Sequence, residues 1–232
     1  MARGKPAFWS GVVALPFLLG GILSYITAAE SPLIIVRLRV TLFGTGDPVS
    51  QIPSTVGLLS VLFGIAILAI GLYVRSVSTP KPRIDSGEEL ITTQHPSQRV
   101  ATAKVIMSIP FLFITAYLLF YTKLPYVYST VTFLIGLFYF STGMYRYWSN
   151  TLTRYYITNK RVIRSFKFIS KVHQELPLNK VRGIQERRSI TEALVGLGNV
   201  RVASGAGGNT LEVVVKNIHQ PSEFANQLRD LT

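Results

Sequence analysis

Apolar residues fall in long runs as far as residue 148, and beyond 152 they fall at every second position. Four runs are long enough to cross a bilayer, which takes about 20 residues each. They are "AFWSGVVALPFLLGGILSYITAA" at 7–29, "STVGLLSVLFGIAILAIGLYV" at 54–74, "ATAKVIMSIPFLFITAYLLFYT" at 101–122 and "LPYVYSTVTFLIGLFYFSTGMYRYW" at 124–148. Before the last turn of the fourth run, only Lys104 interrupts them with a charge. It lies near an end of its run, where it can snorkel to the interface. Phe8, Trp9, Tyr121, Tyr126, Tyr128, Tyr145, Tyr147 and Trp148 mark the run ends, as aromatic residues do at membrane surfaces. The pattern predicts four transmembrane helices. The first run, with Arg3 and Lys5 ahead of it and "TAA" near its end, resembles a signal peptide, but its apolar stretch is too long for a signal core. We read it as a retained helix.

The connections differ in character. Around Lys123 the link is short, so the last two helices form a tight antiparallel hairpin. The first two are joined by 30–53, in which Val36, Leu38, Val40 and Leu42 alternate with Arg37, Arg39 and Thr41. That is a strand period. It predicts either a strand lying at the interface or on a partner, or an ordered loop resting on its own helices. The polar segment 75–100 carries three prolines and reads as a linker.

After 152 the chain predicts a small β domain. "RYYIT" and "RVIRSFKFI" form a hairpin around Asn159-Lys160. "KVHQELPL" and "VRGIQER" are the third and fourth strands. "SITEALVGLG" has a capping box, Ser189 with Glu192, and a glycine stop at Gly196, enough for about two helical turns. "NVRVASG" and "NTLEVVVKN" are further strands around a "GAGG" turn. In "QPSEFANQLRDL", Pro221 sits near the first helical position, and Phe224, Leu228 and Leu231 share one face. Short strands ending in one amphipathic helix describe a small barrel or sandwich plugged by that helix.

Composition agrees with a membrane protein. The 232 residues are 48% hydrophobic and 15% charged, against about a quarter charged in soluble chains. Net charge is +13, which calls for an anionic neighbour. Lys and Arg cluster at 3–5, 75–99 and beyond 146, while only Arg37, Arg39 and Lys123 fall on the opposite side of four spans. The positive-inside rule then puts both termini in the cytoplasm. No cysteine is present, which excludes disulfides, thiolate nucleophiles and Cys-ligated zinc or iron–sulfur centres.

The run "YYITNKRVI … ELPLNKVRGIQ … ALVGLGNVRVASGAGGNTLEVV … PSEFANQL" resembles the bacterial and archaeal pleckstrin-homology-like (PH-like, bPH) domain of small membrane proteins. In that family a helical hairpin precedes the domain, and a "GEE-L-HPS"-like segment precedes the hairpin. Gly87-Glu88-Glu89-Leu90 and His95-Pro96-Ser97 match that segment, so the resemblance covers roughly 86–232. It implies a PH-like fold and no particular activity. The expected organisation is a transmembrane helix pair at 1–76 with an extracytoplasmic connection at 30–53. A cytoplasmic linker at 77–100, a transmembrane hairpin at 101–148 and a cytoplasmic PH-like domain at 150–232 follow.

Catalytic chemistry is hard to find in this chain. His95, His173 and His219 lack ligand spacing, so no metal and no cofactor are expected. Glu88 and Glu89 are adjacent and read as solvated charge. "GAGGN" at 205–209 joins two strands and lacks the helix a phosphate loop needs. No enzyme is expected. The remaining candidates are Lys160, Arg161, Arg164, Lys167 and Lys171, which crowd the first two turns of the domain and read as contacts to anionic lipid. Covalent anchoring already holds the domain at the bilayer, so recruitment is not needed. The favoured function is a membrane-proximal scaffold or accessory subunit in the cell membrane, binding an unidentified protein or a second copy, with lipid contact secondary. A sensor of one lipid head group and a transporter or channel component are the rivals. Nucleic acid is not expected, because the membrane explains the same charge.

Overall fold

The computed structural model describes residues 5–50, 52–77, 82–122, 124–168, 170–189, 192–193, 196–204 and 212–231. The chain divides into two compact units, Met1–Val77 and Ser78–Thr232.

The first unit holds α1 (Lys5–Thr27), α2 (Leu33–Phe43) and α3 (Ser54–Ser76). Helices α1 and α3 pack along one another. Gly57, Gly64 and Gly71 are buried at seven-residue intervals on α3, a spacing that keeps one face toward a partner helix. The two backbones come closest at Gly57, where a Cβ would lie 2.6 Å from Tyr25 N and 2.7 Å from Gly21 O.

The 36–42 alternation, expected as a strand or loop, is helix α2. A short apolar run fits either period, and a lone strand would leave its backbone groups unpaired. A helix pairs them internally, as an apolar environment requires. Gly44 ends it in the left-handed region at φ +69°, donating its N–H to Val40 O at 2.9 Å. The change of period also changes the faces. On a strand Arg37 and Arg39 would share one side, but on a helix they lie about 200° apart. Arg37 is exposed and Arg39 is buried.

The second unit begins with β1 (Leu90–Gln94), which lies inside the stretch expected as a linker. Helices α4 (Arg99–Tyr121) and α5 (Tyr126–Thr151) then form the antiparallel hairpin. Strands β2 (Thr153–Thr158), β3 (Arg161–Lys167) and β4 (Lys171–Pro177) follow at once. After a 3₁₀ turn at Leu178–Lys180 come β5 (Val181–Arg187), β6 (Leu197–Ser204), β7 (Glu212–His219) and helix α6 (Pro221–Asp230). The sheets are antiparallel, ordered β1-β2-β3-β4 and β5-β6-β7. They share one core: Tyr155, Ile157, Val162 and Leu176 from the first, Val200, Val202, Val213 and Val215 from the second. Phe224, Ala225 and Leu228 of α6 complete it. The sandwich form of the expectation therefore holds. The barrel form does not, because among the described residues β4 and β5 do not pair and no barrel closes.

The capping box is present, with Ser189 N donating to Glu192 Oε2 at 2.9 Å and Glu192 N to Ser189 Oγ at 3.3 Å. The "GAGG" turn and Lys123 lie outside the described residues. Four helical segments, 6–27, 54–76, 99–118 and 126–151, are long and apolar enough to cross a membrane.

Candidate functional site

Hydrogen bonding in the second unit concentrates on Arg161, at the start of β3. Its Nε and Nη2 grip the Glu88 carboxylate in a two-point pair, at 2.9 Å to Oε1 and 2.7 Å to Oε2. Such bidentate pairs are both strong and directional. Arg161 Nη1 donates to Glu175 Oε2 at 2.6 Å, and Nη2 also reaches Arg83 O at 2.8 Å. The Glu88 side chain is 1% exposed. Thr158 Oγ1 donates to Glu88 Oε1 at 2.7 Å and accepts from Arg161 N at 3.0 Å. Hydrogen bonds from Arg161, then Thr158, outweigh burial and hold the Glu88 carboxyl down to about 2. Glu88 in turn pushes Arg161 above its usual range.

Asn159 extends the grip to the backbone. Its Oδ1 accepts from Glu89 N at 3.0 Å, its N–H donates to Glu89 O at 3.1 Å, and its Nδ2 donates to Gly87 O at 3.3 Å. Gly87 has φ +75°, a conformation in which a side chain would be strained. The "GEE" and "ITN-R" stretches are thus two halves of one clamp that ties the chain before α4 to the β2–β3 turn. Beside it Asp85, Lys160, Pro177, Asn179 and Leu231 help to line an open cleft of about 520 Å³. Glu88, read as solvated charge from its neighbour, is buried and paired, whereas Glu89 is exposed.

The "HPS" stretch makes a second junction. Ser97 N donates to Asn217 O at 2.7 Å, and Asn150 Nδ2 donates to Ser97 O at 3.1 Å. Gln98 Nε2 reaches Tyr147 O at 3.3 Å and Thr151 Oγ1 at 3.1 Å. One residue, Leu152, separates α5 from β2. The start of α4, the end of α5 and strand β7 are therefore pinned together, so the β domain is fixed to its helical hairpin.

The basic residues expected to act together are divided. Lys167 lies six residue steps along β3 from Arg161, about 20 Å at 3.3 Å per residue. At the far end, Arg161 is committed to the clamp, and Lys160 Nζ donates to Ser86 O at 3.3 Å. Arg164 lies between the ends and reaches Gln174 Oε1 at 3.3 Å. At the near end, Lys167 and Lys171 face each other in the β3–β4 register. Phe168 of that turn packs edge-on against Tyr145 of α5, with ring centroids 6.1 Å apart.

A hairpin of two long helices running straight into two small sheets and a C-terminal helix is an arrangement that can be compared with known families. The family model described as "Bacterial PH domain" matches residues 103–232, more than half of the chain. The chain belongs to the bacterial PH domain family. Neither a curated protein nor a solved structure matches it. The match begins inside α4, so β1 and the "GEE" half of the clamp lie ahead of the matched part of this PH-domain protein, although they pair with it. Among the described residues no group of His, Asp or Glu side chains could hold a metal ion, and His173 instead pairs with Glu175 at 2.8 Å.

Proposed function

We propose that this protein is a non-enzymatic, multi-pass membrane protein whose PH domain is a rigidly mounted interaction module, a scaffold or accessory subunit of a membrane complex. The observation that carries this reading is the junction at Ser97 and Gln98, which ties the start of α4 to the end of α5 and to strand β7. A recruiting PH domain works by leaving and rejoining the membrane. A domain pinned to a membrane hairpin instead holds its surface at a set height and angle, which suits presentation to a partner. The Lys and Arg distribution supports cytoplasmic termini.

Lipid contact is the secondary role, and the β3–β4 turn is best placed for it. The Phe168–Tyr145 contact sets Lys167 and Lys171 beside the end of α5, where the head-group region would lie. Each exposed cation near an anionic surface adds about 1 kcal/mol. The far end, with Arg161 neutralised by its own carboxylates, suits protein contact better.

Purification of the full chain in mild detergent, followed by mass analysis of the intact assembly, tests this reading. A stoichiometric protein partner, or a defined homo-oligomer, is the expected result. A lone monomer carrying one lipid species would replace the scaffold reading with a lipid sensor.

A further inference from the structure

Charge is sparse on the α4–α5 hairpin. Beyond Arg99 at its start, α4 has only Lys104, and α5 has only Arg146. The fold brings these two together. Phe111 of α4 stacks on Tyr139 of α5, with ring centroids 5.9 Å apart and planes 13° from parallel. Lys104 lies seven residues before Phe111, and Arg146 seven residues after Tyr139. In an antiparallel pair both steps run toward the same end, the one that meets the β domain. Seven residues are nearly two turns, so each cation keeps to the face of its ring, with a drift of about 20°. The helices are close at this level, since a Cβ at Gly143 would lie 3.0 Å from Val105 N and 3.2 Å from Ala101 O. The positive charge of Arg146 accordingly acts on Lys104.

Among the described residues neither side chain has an ion pair or a hydrogen bond to relieve that repulsion. Glu192 also lies within electrostatic reach of Arg146, but its oxygens accept from Ser189 N and from Asn199 Nδ2, each at 2.9 Å. Arg146 is exposed and Lys104 half-buried, so an anion can reach both. Two like charges at the edge of a low-dielectric layer favour an anion between them. The occupant follows from what lies deeper. Phe111 and Tyr139 are half-buried and sit about 10 Å farther into the span, at 1.5 Å per residue. Cations at the head-group end with aromatic rings beneath them suit an anionic head on an apolar tail. Basic pockets between transmembrane helices on the cytoplasmic side hold such head groups. We propose that Lys104 and Arg146 form a two-cation site for the phosphodiester of an anionic phospholipid, whose acyl chain lies along Phe111 and Tyr139. The site is distinct from the β3–β4 turn, and it rests on the membrane reading of the α4–α5 hairpin.

The test is native mass spectrometry of the full chain in detergent, with phosphatidylglycerol, a diacylglycerol of the same chains, or inorganic phosphate added. The wild type should keep phosphatidylglycerol, and neither diacylglycerol nor inorganic phosphate. Lys104→Gln and Arg146→Gln should each lower its retention about tenfold, as expected for loss of one charge-assisted contact. Arg75→Gln removes an exposed cation at the end of α3 and should leave retention within about twofold. Undiminished retention by either Lys104→Gln or Arg146→Gln would overturn the proposal. Should one of them fail to fold, the other decides, and should both fail, the wild-type comparison decides. Equal binding of diacylglycerol would overturn it by showing that the phosphate is not held. Equal binding of inorganic phosphate would overturn it by assigning the cations to a free anion. Extraction of the chain from membranes by alkaline carbonate would instead defeat the membrane reading itself.

Discussion

Arg161 Nη2 donates to Glu88 Oε2 at 2.7 Å across 73 positions of sequence, closing the segment before the helical hairpin onto the turn after it. The pair is buried on the Glu88 side and shared with Glu175 and Asp85 on the Arg161 side. Removing Glu88's charge should therefore cost about 3 kcal/mol, the low end for breaking a buried pair, because Arg161 keeps other carboxylates. Glu88→Gln should speed proteolysis within 82–94 in the full protein. Unchanged cleavage would show that β1 holds without the clamp.

The same pair predicts an acid response. The Glu88 carboxyl is held at about 2 in the folded protein against 4.5 ordinarily. A depressed carboxyl stabilises the fold fully above its unfolded value, and that contribution fades as pH falls from 4.5 toward 2. Amide hydrogen exchange of 83–94, corrected for its intrinsic pH dependence, should lose protection in that window. Glu88→Gln should flatten the response, and an identical profile in the variant would assign the acid sensitivity elsewhere.

Leu228 is completely buried in the shared core. Leu228→Asp places an unpaired carboxylate between both sheets and α6, at a cost of about 4 kcal/mol or more. Limited proteolysis of the full chain should show the region after 152 cut at far lower protease levels. Wild-type resistance would mean that α6 is not needed to close the core.

In the first unit, Gly57 and Gly20 make a matched pair of substitutions. A Cβ at Gly57 meets backbone atoms, whereas one at Gly20 meets nothing within 4 Å. Gly57→Ala should lower stability by about 1–3 kcal/mol through forced separation of the helices. Gly20→Ala should be neutral or slightly stabilising, because alanine favours helix by about 1 kcal/mol. Thermal denaturation in detergent compares them, and equal effects would contradict the close α1–α3 contact.

Local pattern and long-range pairing diverge in this protein. The β2–β3 turn at Asn159-Lys160 and strands β4 and β5 follow from alternation that any neighbour would preserve. Helix α2 did not follow, because "LIIVRLRVTLF" has no polar break to separate a period of two from one of 3.6. Strand β1 was hidden for a different reason. Its "LITTQ" is half-polar and sits in a proline-bearing stretch, and its pairing with β2 spans the whole helical hairpin. Glu88 illustrates the same limit: beside Glu89 it looks solvated, and only the fold brings Arg161 and Thr158 to it. The five basic residues looked like one patch because both turns are close in sequence. Antiparallel strands necessarily put successive turns at opposite ends.

The central claim is that the PH domain is held in one pose, with the β3–β4 turn toward the lipid and the β2–β3 turn away from it. Depth measurement tests it most directly. Single nitroxide labels at Ser170 and Asn159, in the full protein reconstituted in bilayers containing anionic lipid, report distance from the head groups by paramagnetic relaxation. Ser170 should lie at the head-group level and Asn159 about 20 Å farther out, the length of β3 at 3.3 Å per residue. Each label should give one narrow depth distribution. Equal depths, a reversed order, or broad distributions at both sites would contradict a fixed, lipid-facing mounting of the domain.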